Sequence, residues 1–121
     1  MKLVYWQSAH GQSPIEDEIY EELSKDATSL HHYEAAEKVF KKFDYLQLRK
    51  TKRIDKLAGK NPQKIHEFRM SLFKKIARIL FIVDNGDEAI LLHFFSKKTD
   101  AIPEKNRNIA EIRAPQQRSK K

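Results

Sequence analysis

The chain has 121 residues, no cysteine and a formal charge of +7; this suits one domain, 1–121, with one modest core, and excludes disulfides, thiolate metal sites and cysteine nucleophiles. No stretch reaches the roughly 18 apolar residues that span a bilayer, and the N-terminus lacks the basic-then-apolar layout of a secretory signal, so a cytoplasmic protein without membrane contact is expected. The charge is uneven: residues 1–48 hold 5 Lys and Arg against 9 Asp and Glu, whereas residues 49–121 hold 19 against 8.

Lys2–Ser8 is rich in β-formers and reads as a first strand stopped at His10-Gly11. Ser13-Pro14 then opens a helix, with Ser13 as N-cap, Pro14 at its first position and Glu16, Asp17 and Glu18 in the first turn, where the helix dipole favours negative charge. Ile15, Ile19 and Leu23 form its apolar stripe. The recurrence of Leu30, Tyr33, Ala36, Val39, Phe40, Phe43 and Leu46 predicts a second helix over Ser29–Thr51, forming a hairpin with the first, and His31-His32 falls on its solvated surface. Arg49–Lys64 carries seven Lys or Arg with Gly59 and Pro62, and reads as a basic loop that includes Lys56 and Lys60.

Three runs of sheet character follow, Ile65–Ser71, Lys75–Val83 and Ala89–Lys97. Asn85-Gly86 between the last two is a strong hairpin signal, because both residues tolerate the positive φ of a type I′ turn. A two-residue loop there sets Leu80 opposite Leu91, Arg78 opposite His93, Ile76 opposite Phe95 and Lys74 opposite Lys97. Apolar residues on both faces near the turn predict central strands covered by helices on one side. Polar residues enter at the open end, where Lys74, Arg78, His93 and Lys97 share one face and Lys75, Ala77, Phe94 and Lys98 the other. Pro103–Arg113 reads as a short helix with Ile109 and Ile112 inward, and the residues beyond it as a frayed end. These elements make a mixed α/β domain.

Glycine-rich phosphate loops, paired-histidine metal spacings and serine-nucleophile elbows are absent, so the sequence points to no cofactor and no metal. The basic half is the footprint of a polyanion binder, and equally of a surface that meets an acidic protein. RNA can be cut without metal when a base removes the 2′-hydroxyl proton, an acid protonates the leaving 5′-oxygen and cations stabilise the phosphorane charge. Arg78, mid-strand among Ile76, Ile79 and Leu80, fits either a phosphate clamp or an internal ion pair with Glu67 or Asp100. His93 fits a general acid or base, or a hydrogen-bonded core residue. If Phe68 points to the core, Glu67 and Arg69 join the Arg78 face, Glu67 as a base or a salt-bridge partner. Lys97-Lys98 follows on the strand of His93.

IHEFRM followed by KIARILFIVDNGDEAILLHFFSKKTDAIP, together with the helix start GQSPIEDEIYEEL, resembles the RelE/ParE superfamily of bacterial toxins, most closely its HigB-like branch with many phage-derived members. The resemblance implies an α+β microbial ribonuclease fold with two N-terminal helices packed on a small antiparallel sheet. It implies cleavage of mRNA on the ribosome and silencing by a cognate helix-turn-helix antitoxin. On this reading Arg78 and Arg69 fall on the family's sheet arginines, and Glu67 and His93 are the candidates that the residues themselves offer for moving protons. Lys97 and Lys98 fall on its basic strand end, and Lys74, Lys56 and Lys60 add RNA contacts. Glu67 stands where the best-known RelE proteins have lysine, and no tyrosine follows Lys98 where some members use one. Two other readings stay open: a ParE-like inhibitor of gyrase that cuts nothing, and an inactive phage-derived RNA-binding protein.

Overall fold

Two aspartates set the helical boundaries of the N-terminal half. In the computed structural model, which describes residues 1–98 and 101–119, the Asp26 carboxylate accepts the Ser29 N–H at 2.5 Å and starts a helix at Ala27. The apolar periodicity predicts one helix as far as Thr51, but the chain turns extended at Phe43 (φ −99°, ψ 151°) and Asp44 opens a new helix through a capping box with Gln47. The elements are β1 (Lys2–Tyr5), α1 (Pro14–Leu23), α2 (Ala27–Lys42), α3 (Tyr45–Lys50), β2 (Ile54–Lys56), β3 (His66–Leu72), β4 (Lys75–Asp84), β5 (Glu88–Lys97) and α4 (Glu104–Ser119).

The sheet order is β1-β5-β4-β3-β2. Its strands pair antiparallel except β1, which runs parallel to β5, so the sheet is mixed and not the purely antiparallel one expected. β2 lies inside the segment read as a loop, its three residues too few to carry a period. α4 runs on through Pro115 to Ser119, past the expected end at Arg113. Its inward positions are Ala110 and Ala114, whereas Ile112 is 62% exposed.

The hairpin register also differs. Asp84 faces Glu88, so the turn holds three residues, with positive φ at Asn85 and Gly86. The ladder then steps between Leu80 and Phe81, leaving Leu92 as a bulge residue with no opposite on β4. Arg78 therefore faces Phe95, Leu80 faces His93 and Ile76 faces Lys97. Lys74 occupies the tight β3–β4 turn at φ 60° instead of pairing. Because the two one-residue shifts sum to an even number, Arg78, His93 and Lys97 still share a face.

Helices α1 and α2 cover the opposite face. There Phe40 stacks on Phe68 with ring centroids 4.3 Å apart, tilts against Phe81 at 5.2 Å, and Tyr33 meets Phe94 edge-on. α4 packs across β5 and β4 on the Arg78 face, completing a layered α/β/α arrangement. Among the described residues, no helix is long and apolar enough to cross a membrane.

Candidate nucleic-acid interface

Antiparallel pairing brings Glu67, Arg69 and Ser71 of β3, Ile76, Arg78 and Leu80 of β4, and His93, Phe95 and Lys97 of β5 onto one face. Phe68 does point into the core, at 1% exposure, and its neighbours on β3 take the other side. Arg69 sits directly opposite Arg78, a like-charge pairing that costs energy unless an anion offsets it. Glu67 does so: its Oε2 lies 3.5 Å from Arg78 Nε. Arg78 is wholly buried at 0% exposure. In this arrangement it anchors the Glu67 carboxylate from beneath, while Arg69 and Ser71 are exposed. Asp100, the other partner considered for Arg78, lies outside the described residues.

His93 is engaged at both ring nitrogens. Its Nδ1 lies 2.9 Å from Glu18 Oε1 and its Nε2 2.9 Å from Asn106 Nδ2, so both nitrogens face polar side chains of other elements. Glu18 Oε1 also accepts the Phe94 N–H at 3.0 Å, and Arg113 donates to both Glu18 Oε2 (3.3 Å) and the Leu92 carbonyl (2.6 Å). Arg113 in turn lies over the Trp6 ring, 4.9 Å from its centroid. Burial alone would raise the Glu18 carboxyl, but the hydrogen bonds from His93 and the Phe94 N–H and the charges of His93 and Arg113 outweigh it and hold it below the usual range. Glu18, His93, Asn106 and Arg113 thus clasp α1 and α4 to β5 where β1 has ended. At 5% exposure, the imidazole is sealed from solvent.

A second carboxylate, Glu22, lies one helical turn on. It accepts from Ser96 Oγ and pairs with Lys25 and Lys75. Burial works against its ionisation, yet these donors hold its pKa at about 2. None of Glu18, Glu22, Asn106 or Arg113 stands out in the sequence. The two glutamates look like ordinary first-turn and surface acids, and their partners His93 and Ser96 lie more than 70 residues away.

The lysines divide between the two ends of the sheet. Lys97 continues the face at half exposure, and Lys98 and Lys74 are exposed beside it, Lys74 lying over the Phe73 ring. Lys56, paired with His66, and Lys60, whose carbonyl accepts from Arg107, lie toward the opposite end, away from Arg69 and Lys97. The β3–β4 turn end therefore gathers Lys74, Lys97 and Lys98, whereas Glu67 lies toward the other end of β3, opposite Leu80 and Asp55, with Arg69 between the two. Among the described residues no group of His, Cys, Asp and Glu could hold a metal ion.

The family model of the phage derived protein Gp49-like (DUF891) matches residues 26–114, from the cap of α2 into α4. No curated protein matches the chain.

Proposed function

The chain belongs to the Gp49-like family of phage-derived proteins, a family associated with RelE-like toxins, and from that premise we propose that it is a toxin that inhibits translation by cutting mRNA on the ribosome. The observation that supports this reading most directly is on the Arg69 face, where exposed Arg69 neighbours a carboxylate fixed by buried Arg78 and exposed lysines follow toward the β3–β4 turn. Arg69 neutralises the phosphate, Glu67 removes the 2′-hydroxyl proton, and the new 2′-oxygen attacks phosphorus to form the cyclic phosphate, while Lys97 holds the strand further along. Solvent protonates the departing 5′-oxygen. Arg78 and His93 act from within as positioning residues, the first on Glu67 and the second on the β5 backbone. A helix-turn-helix antitoxin with an acidic segment would silence the protein by covering this face.

Addition of the protein to a translating extract, followed by mapping of new 5′ ends, tests the reading. Wild type is expected to cut, and Arg69→Ala and Glu67→Gln to bind ribosomes without cutting. Intact mRNA at protein concentrations that saturate the ribosomes ends the proposal. The sealing of both Arg78 and His93 favours one competing reading, an RNA-binding protein that never cuts, and that outcome of the same assay would support it.

A further inference from the structure

A second basic site lies around the sheet edge from the Arg69 face. Arg49, Lys52, Ile54, Asp55 and Arg69 line a cavity of about 430 Å³ between α3, β2 and β3. Three cations face one carboxylate there, and the Asp55 carboxylate is already engaged by the Lys56 N–H at 2.9 Å.

Arg49 is held in place. His66, 4% exposed, has its Nδ1 3.0 Å from the Lys64 carbonyl and its Nε2 2.9 Å from the Tyr45 hydroxyl, and Arg49 Nη1 donates to that hydroxyl at 3.1 Å. Every direction in this chain is consistent with a neutral ring: Nδ1–H to carbonyl, Tyr45 O–H to Nε2, Arg49 N–H to Tyr45 oxygen. Burial, and after it the charges of Lys56 and Arg49, push the His66 pKa down and keep Nε2 an acceptor. The guanidinium also packs over the Tyr45 ring, 5.9 Å from its centroid. One end of Arg49 is thereby fixed, leaving its remaining N–H groups to serve a ligand without further ordering cost.

Lys52 carries the second signal. α3 ends in a Schellman arrangement, with Arg53 N–H bonded to the Leu48 carbonyl and Lys52 N–H to the Arg49 carbonyl. That motif places Lys52 in the left-handed region at φ 59°, the position where glycine is favoured because a Cβ costs about 1 kcal/mol. A lysine in this place accepts strain and delivers an exposed cation to the cavity mouth.

We propose that this pocket binds the phosphodiester backbone of single-stranded RNA, carrying the strand onward from Arg69 and the candidate cleavage face. The proposal rests on the RNA reading of that face. Arg69 is shared by both, and two strand spacings, roughly 10 Å, separate β3 from Lys97 on β5. One strand can therefore touch Lys97, Arg69 and the Arg49–Lys52 pocket in succession.

The test is fluorescence anisotropy with a labelled twelve-nucleotide uridine RNA across a salt series. Wild type, Lys52→Gly and the double variant Arg49→Gln/Lys52→Gly are compared. Each lost phosphate contact lowers the slope of log affinity on log salt by about 0.7. Lys52→Gly is expected to lose that much while melting no lower than wild type, because glycine relaxes the left-handed turn. Tyr45→Phe is expected to weaken binding less than the loss of Arg49. A double variant with the wild-type slope overturns the proposal, as does a wild-type protein that binds no RNA, which would leave an acidic protein segment as the ligand class. The same proteins in a translating extract separate the two readings. A lowered slope with intact mRNA sinks cleavage and keeps the pocket, whereas cutting by wild type with an unchanged slope in the double variant sinks the pocket alone.

Discussion

Replacing Glu18 with alanine tests whether the clasp across β5 carries stability. Glu18 accepts from His93 Nδ1, the Phe94 N–H and Arg113, and alanine removes all three hydrogen bonds at once. The half-exposed pairing with Arg113 is worth no more than about 1 kcal/mol. Stranding the His93 and Phe94 donors costs on the order of 1–2 kcal/mol each, so the expected loss is about 3 kcal/mol. For a domain of this size that lowers the melting temperature by about 10 °C. Glu18→Gln keeps one acceptor and is expected to lose roughly half as much. Urea unfolding with an Arg113→Ala cycle measures both terms. A Glu18→Ala loss below about 1 kcal/mol, with unchanged denaturant slope, would refute the claim that these contacts bind α1 and α4 to the sheet.

Phe40 has no exposed surface and stacks on Phe68, so Phe40→Ala is expected to cost about 3–5 kcal/mol in the same unfolding assay. Arg78→Ala leaves Glu67 without its buried counter-charge and is expected to cost about 3–5 kcal/mol; a near-neutral melting temperature would mean that the pair is not structural. Glu22, depressed from 4.5 to about 2, gives stability that is complete above its unfolded pKa and is lost as pH falls from 4.5 toward 2. Solvent screening of this partly exposed cluster reduces the contribution to about 1–2 kcal/mol, and Glu22→Gln is expected to flatten that part of the stability–pH curve.

Local chemistry written in consecutive residues was legible in advance. The helix start at Pro14, the three long strands and the shared face of Glu67, Arg69 and Arg78 follow from proline's fixed φ, periodicity and alternation, and the structure has them, although the Ser13 hydroxyl makes no capping bond. The break at Phe43-Asp44 was not, because the apolar repeat continues through it and only the Asp44–Gln47 capping box interrupts the helix. Turn length at Asn85 and the bulge at Leu92 also escaped, since alternation fixes which face a residue takes but not which residue stands opposite. Long-range polar partners left the least trace. Nothing near Glu18 in sequence announces a histidine 75 positions on, and nothing near Tyr45 announces His66.

The bulge at Leu92 separates two jobs that a regular ladder would tie together. On the turn side β5 is timed by Asn85–Asp87, and beyond the bulge by Ile79–Phe94 and its neighbours. Leu92 itself has no cross-strand opposite, yet its carbonyl holds Arg113. A chain lacking Leu92 could keep every remaining β4–β5 pair, and with them the facing of His93 and Lys97, while losing a tether of the C-terminal helix. Docking of that helix can thus change by one residue's insertion or loss while the basic face stays in register.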